Sequence, residues 1–133
     1  SSASGRDCIV EIMEGGKGII GFGTKDNNHL TAPATDADGK DLVSTGTWYH
    51  LTCIADAQNN TKSIWLNGVK VAGKNNWTGT ANVSFHGPFT LGNISGAANM
   101  CFSGNLDDIR IYDRVLSAGE ITALYDLEKP KGK

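Results

Sequence analysis

The sequence predicts an all-β domain with one short helix near its C-terminus. Seventeen glycines, with Asn, Asp, Ser and Thr, separate short runs of β-forming residues, a pattern typical of β-proteins with many turns. Helical periodicity is scarce and is clearest after Ser117. A chain of 133 residues is most simply one domain, large enough to bury about two-thirds of its unfolded surface.

Charge and hydropathy exclude two classes of partner. The 12 basic and 14 acidic side chains leave a formal charge of −2, and the chain has no basic stripe of the kind that phosphate backbones attract. No apolar run approaches the ~20 residues of a membrane span. We therefore expect neither a nucleic-acid partner nor a membrane-spanning segment.

The first elements form a predicted hairpin. Asp7–Met13 and Gly18–Phe22 are β-rich runs joined by the short connection 14–17, so they are expected to be antiparallel neighbours. His29–Leu30 and Leu42–Val43 are weaker strand candidates in a polar stretch.

Residues 36–41 hold three aspartates around a glycine. They resemble a calcium loop only superficially, because the twelve-residue pattern of an EF-hand with its terminal Glu is absent. An ordinary turn is predicted here.

A three-stranded meander follows. Trp48–Asp56 and Ser63–Asn67 are β-rich runs on either side of a polar turn. Asn67 and Gly68 then precede the run Val69–Ala72, and Asn-Gly between apolar runs is a strong hairpin signal. Phe89–Leu91 is a further short strand candidate.

The C-terminal part combines a predicted strand with a capped helix. Leu106–Tyr112 alternates β-formers with polar residues, the period of a strand. Ser117 stands three residues before Glu120, the spacing of a capping box. Leu116 and Ile121 occupy the positions of a hydrophobic staple.

The three cysteines, Cys8, Cys53 and Cys101, have no CxxC spacing and do not suggest a zinc site. Each lies in or beside an apolar strand, where a buried thiol acts as a small hydrophobe. One disulfide with one remaining thiol is the alternative.

Two segments together carry a family resemblance. Gly46–Leu51 with Ile64–Gly68, and Phe102–Tyr112 with the capped helix after it, resemble the laminin G-like branch of the concanavalin A-like lectin/glucanase superfamily. The resemblance implies an antiparallel β-sandwich in jelly-roll order over residues 1–127, with a polar tail at 128–133. It also implies a secreted or cell-surface module that binds a glycan or an extracellular protein.

In the family that this chain resembles, several strands usually precede the segment that matches residues 1–13, so we expect a shortened sandwich, strands supplied by another chain, or a sequence that is a piece of something longer. Because an open sheet edge invites pairing, we expect a homodimer or a complementing chain segment.

Asp107 is the candidate metal ligand. It alternates in register with Ile109 and Ile111, so its carboxylate is expected at the interior or its rim, where an unpaired charge is costly. Calcium would compensate it, and the resemblance implies calcium at the corresponding Asp. A hydrogen-bonded structural Asp, paired with Arg110 or Arg114 or capping a turn, is the alternative.

Catalysis is not expected. Asp107 and Asp108 should point to opposite faces, whereas glycoside hydrolysis needs two carboxyl groups that flank one bond. The closely spaced Glu and Asp pattern of the superfamily's glucanases is absent, and Glu11 and Glu14 do not replace it.

Tryptophans are the candidate sugar contacts. Trp48 is expected in the core. Trp65 faces away from Ile64 and Leu66, where a flat ring could stack on a sugar, and burial of this ring against a second sheet is equally compatible with the pattern. Trp77 lies in a polar loop beside Asn76 and either plugs the sandwich or contacts a ligand. We therefore expect carbohydrate binding through Trp77, Trp65 and Asn76, with a structural or adhesive domain as the alternative.

Overall fold

The structure is a computed structural model that describes residues 8–13, 18–24, 29–77, 89–93 and 101–131. These form two antiparallel three-stranded sheets and one helix. The elements are β1 Cys8–Met13, β2 Ile19–Thr24, β3 Leu30–Thr31, β4 Leu51–Asp56, β5 Thr61–Leu66, β6 Val69–Lys74 and α1 Ala118–Glu128. The predicted all-β class with one C-terminal helix is confirmed.

The first sheet has the order β1-β2-β3. β1 and β2 are antiparallel, with Met13 opposite Ile19 and Cys8 opposite Thr24, as the predicted hairpin requires. Its connection 14–17 and the expected first strand residue, Asp7, lie outside the described residues. β3 pairs with the other side of β2.

The second sheet has the order β4-β5-β6 and confirms the predicted meander. Asn67 and Gly68 have φ values of 51° and 77°, the left-handed conformation that a two-residue type I′ hairpin turn requires at both positions. The pairing of β5 with β6 shifts between Ile64 and Trp65, and such a bulge adds local twist to the strand.

The two sheets pack face to face on one apolar core. β5 alternates buried and partly buried residues, because successive side chains of a strand point to opposite faces. Burial of each large apolar side chain contributes about 1.5–3 kcal/mol. The core residues are Ile20, Phe22, Leu30, Ala32, Ile64 and Leu66.

α1 begins with the predicted capping box. Ser117 Oγ accepts from the backbone N–H of Glu120, and the Glu120 carboxylate accepts from the backbone N–H of Ser117. Leu116 and Ile121, at the staple positions, are both buried. The helix continues through Glu128, which the sequence analysis assigns to the tail; residues 132–133 lie outside the described residues.

The predicted strand Leu106–Tyr112 is not a strand in the structure. Asp108 has a φ of 49°, a left-handed conformation that interrupts extended backbone. The neighbouring Asp107 Oδ1 accepts from the Asp108 backbone N–H at 2.9 Å, a local bond that competes with a strand ladder. Ile109 and Ile111 are 47% and 63% exposed, so the β-like pattern lacks a sheet partner among the described residues.

Two weaker strand candidates are also wrong. Phe89–Leu91 and Leu42–Val43 form no strand. Near them the described chain makes only isolated bridges, Asn93 with Cys101 and Thr35 with Asp41.

Candidate functional site

The outer face of the second sheet presents an indole. Trp65 lies on the side of β5 opposite the buried Ile64 and Leu66, as predicted, and is partly buried. It stands opposite Thr52 on β4 and Lys70 on β6. Since directly opposite residues of antiparallel strands share a face, the three side chains form one surface. We call Trp65, Thr52, Lys70 and Ser63 the outer-face platform.

Neighbouring residues hold the indole along the strand. The indole N–H of Trp65 donates to Ser63 Oγ at 2.9 Å, and Ser63 lies two residues earlier on the same face. One polar atom of the ring is therefore satisfied within the sheet. This hydrogen bond holds the indole without any contribution from a ligand.

Lys70 extends over a glycine of the same face. A methyl group at Gly73 would lie 2.7 Å from Lys70 Cε and 2.9 Å from Nζ, so the end of the Lys70 side chain packs directly over this glycine and would have to move aside for a larger residue. Lys70 is exposed and has no hydrogen-bond or ion-pair partner among the described residues. Its ammonium group is available to donate to a ligand near the Trp65 ring.

Trp77 is not on the surface. Only 1% of the residue is exposed, and its ring centre lies 5.1 Å from Lys62 Nζ. The Phe22 ring centre is also 5.1 Å from the same ammonium group, a cation–π geometry. Of the two roles open to Trp77, the structure therefore shows the plug in the sandwich rather than a presented ring.

The loop residue Asn76 remains exposed beside this plug. It has a φ of 58°, and the next residue's backbone N–H donates to the Asn60 carbonyl at 2.8 Å. This bond anchors the loop to the β4–β5 turn. Asn76 therefore lies beyond the end of β6, beside the turn before β5, whereas Trp65 is near the other end of β5.

Trp48 differs from expectation in the opposite direction. It is 54% exposed and lies in the loop before β4 instead of inside the strand. The predicted strand is three residues too long at its start, and the core position assigned to Trp48 is wrong.

Asp107 is an exposed turn residue. Its carboxylate accepts the Asp108 N–H and is not the buried, unpaired charge on which the calcium argument depends. Among the described residues, no group of three or more His, Cys, Asp or Glu side chains could hold a metal ion. The described side chains therefore give calcium at Asp107 no support, and the expectation awaits titration.

The aspartate-rich segment 36–41 folds as an ordinary turn, as predicted. Asp36 Oδ1 accepts from the backbone N–H groups of Asp38 and Lys40, each at 2.9 Å. Gly39 has a φ of 78°, which suits glycine at the turn. The Asp36 carboxylate thus stabilises its own backbone.

The sequence analysis missed an ionic cluster that joins three parts of the chain. His50 Nε2 lies 3.2 Å from Glu128 Oε2, and Arg110 pairs with the other oxygen of that carboxylate. Burial and the Arg110 guanidinium lower the pKa of His50. Its Nδ1 is buried without a hydrogen-bond partner in the described part of the chain. The sequence did contain a signal for this contact. Glu128 follows Ile121 by seven residues and Tyr125 by three, so it lies on the same face of the helix.

α1 rests on the tip of the second sheet beside this cluster. A methyl group at Gly68 would lie 3.2 Å from Tyr125 Cδ1, and the rings of Tyr125 and His50 are 6.0 Å apart. The backbone N–H of His50 donates to Asn67 Oδ1, and the His50 carbonyl accepts from the backbone N–H of Asn67. The helix therefore closes one end of the sheet.

All three cysteines are free thiols. Cys8 and Cys101 are exposed, which differs from the buried-thiol expectation, while Cys53 is partly buried. Burial, and to a lesser degree the neighbouring Cys8, raises the pKa of Cys53 to about 12.

The comparisons with known proteins agree with this architecture. A laminin G-type family model, described as concanavalin A-like lectin/glucanases superfamily, matches residues 2–122. The chain belongs to this superfamily. No curated protein matches this concanavalin A-like domain.

A solved structure has the same fold. It is the crystal structure of residues 221–444 of an S-layer domain-containing protein from Clostridium thermocellum. It is 21% identical, with a TM-score of 0.54, and the match covers 94% of this concanavalin A-like domain and 65% of that chain. The domain thus spans just under two-thirds of the solved chain's length.

The superfamily includes lectins and glucanases, so membership is compatible with a binding module. The described part of the chain has one helix, α1, and it is neither long nor apolar enough to cross a membrane.

Proposed function

We propose that this domain is a non-catalytic recognition module that binds carbohydrate through the outer-face platform. The observation that supports the proposal is the Trp65 indole on the outer face of β5, with its N–H bonded to Ser63. A sugar ring stacks its apolar face on an indole, and the Lys70 ammonium and Thr52 hydroxyl are within the same surface to bond its hydroxyl groups.

With the outer-face platform as the proposed site, binding depends on Trp65 and no longer on Trp77. Trp77 is a packing residue, so its substitution would act through stability. Trp65 takes the central role, and Asn76 is left as a peripheral candidate because it lies past the end of β6, beside the turn that precedes β5. The surface is a sheet face rather than an enclosed cleft, which suits binding of an extended saccharide chain.

A glycan array tests the proposal with matched variants. The intact domain is compared with Trp65→Ala and with Trp48→Ala, which removes an exposed indole outside the platform. We expect Trp65→Ala to lose at least about tenfold in affinity, equivalent to about 1.4 kcal/mol, and Trp48→Ala to retain binding. Full binding by Trp65→Ala would refute the platform.

The second candidate function is a structural or adhesive domain of a larger secreted or cell-surface protein. It is favoured by the exposed apolar segment Leu106–Val115, in which Ile111 is 63% and Leu106 51% exposed. Exposed apolar surface of this kind marks protein-interaction sites. Absence of any glycan binding, together with capture of a protein partner lost on Ile111→Ser, would support this candidate instead.

A further inference from the structure

In the described part of the chain, the strands leave one side of the sandwich open. Among the described strands, β1 pairs only with β2, and β4 pairs only with β5. Three observations indicate how the sheets are stacked: Phe22 of β2 lies over Lys62 of β5, β3 contacts β5 and β6, and Cys8 of β1 is close enough to Cys53 of β4 to help raise the pKa of that thiol. The free edges of β1 and β4 therefore lie on the same side, which we call the open seam.

The core face continues uncovered at the open seam. Val10 and Ile12 stand opposite Phe22 and Ile20 in the β1–β2 pair, so all four point toward the second sheet. Phe22 and Ile20 are 4% and 1% exposed, whereas Val10 and Ile12 are 49% and 46% exposed. The second sheet ends before it covers β1, and one more strand beside β4 would lie beneath these two side chains.

The backbone of β4 offers hydrogen bonds along this edge. The His50 carbonyl accepts from Asn67 N–H of the neighbouring hairpin at 2.8 Å. Because the main-chain groups of an antiparallel strand alternate sides, those of Leu51, Cys53 and Ala55 point away from β5. No Lys or Pro stands in β4, although such residues are the usual protection of an exposed edge.

We propose that β4 pairs antiparallel with β4 of a second copy of this chain, about a two-fold axis at Cys53. This register places Leu51 opposite Ala55 of the second copy and Cys53 opposite its own mate. In this register, the outward main-chain groups of Leu51, Cys53 and Ala55 all form hydrogen bonds between the two copies. If the axis is shifted by one residue, only two of these three residues can do so. The two sheets then form one continuous six-stranded sheet.

Charge and shape agree with this register. Asp56 is the one charged side chain of β4, and it falls opposite His50 of the second copy rather than opposite a like charge. The β4 strand of the second copy extends the second sheet until it lies under Val10 and Ile12. The pairing therefore covers the exposed part of the core face. The proposal is independent of the sugar platform, and each can fail without the other.

Sedimentation equilibrium tests the oligomeric state. We expect the intact chain to be a dimer, and Ile54→Lys, which places an ammonium group on β4 close to the two-fold axis, to raise the dissociation constant at least tenfold. Gln58→Lys adds the same charge in the exposed turn after β4 and should remain a dimer. Circular dichroism checks that each variant is folded. A folded wild-type monomer, or a dimer unaffected by Ile54→Lys, would overturn the proposal.

Disulfide trapping tests the register. The natural cysteines are replaced by serine at positions 8 and 101 and by alanine at 53, and Thr52→Cys and Ile54→Cys are added together. Residues 52 and 54 stand opposite each other across the axis, so a mild oxidant should remove two electrons and two protons from each facing thiol pair and form a covalent dimer. Thr52→Cys alone should form at least tenfold less covalent dimer. Equal trapping by the single variant, or no trapping by the pair, would contradict this register.

Discussion

The imidazole Nε2 of His50 lies 3.2 Å from Oε2 of Glu128, and this contact joins the loop before β4 to the last residue of α1. Arg110 pairs with the other oxygen of the same carboxylate. Tyr125 faces the imidazole from the helix, and Asn67 bonds its backbone. The cluster is the ionic part of the contact that holds α1 on the second sheet.

The first prediction concerns pH. Burial and the Arg110 charge lower the pKa of His50 below its ordinary value of 6.5 in the folded state, so the neutral form is favoured there. This contribution to stability is fully present above the unfolded pKa and is lost as the pH falls through the folded pKa. Urea unfolding between pH 8 and 5 should show this loss.

His50→Gln is the matched variant because it keeps a donor near Glu128 but does not titrate. Its free energy of unfolding should fall less steeply below about pH 6.5. An unchanged slope in the variant would show that another group is responsible.

The second prediction concerns the aromatic pair around Lys62. This residue is 1% exposed and in line with Ile64 and Leu66. Trp77→Ala should lower the free energy of unfolding by about 3–5 kcal/mol, as large-to-small core changes do. A double-mutant cycle with Lys62→Met should give a coupling energy of about 0.5–2 kcal/mol.

A matched cycle of Trp48→Ala with Lys62→Met should give no coupling, because Trp48 is exposed outside the core. Additive effects of the Trp77 and Lys62 substitutions would contradict the cation–π contact.

The third prediction concerns calcium. Because Asp107 is exposed and accepts its neighbour's backbone N–H, Asp107→Asn should not change the response of the melting temperature to calcium or chelator. Asp36→Asn is the control at the other aspartate-rich turn. A calcium-dependent stabilisation that Asp107→Asn alone abolishes would restore the metal role.

The sequence predicts those elements whose signals are local. The Asn67-Gly68 turn and the Ser117 cap are each specified by a few neighbouring residues, and both are found as predicted. That Trp65 lies on the face of β5 opposite Ile64 and Leu66 also follows from strand period alone, whereas which of the two faces is buried needed the structure.

The failures depend on long-range context. Leu106–Tyr112 has a strand pattern, but a strand needs a partner, and the left-handed Asp108 ends the extended backbone. Burial of Trp77 depends on Lys62 and Phe22, which are distant in sequence, so a polar loop sequence could not reveal it. The contact between His50 and Glu128 forms because α1 packs on the second sheet, and the sequence alone does not reveal that packing.

The most direct test of the central claim follows the three indole N–H signals by two-dimensional ¹⁵N–¹H NMR while a saccharide selected on the array is added. Trp65→Phe and Trp77→Phe assign the resonances. We expect the Trp65 signal to shift with saturation, while the signals of the buried Trp77 and of Trp48, which lies outside the platform, stay in place. Saturable shifts of the Trp48 or Trp77 signal with an unmoved Trp65 signal would contradict this expectation.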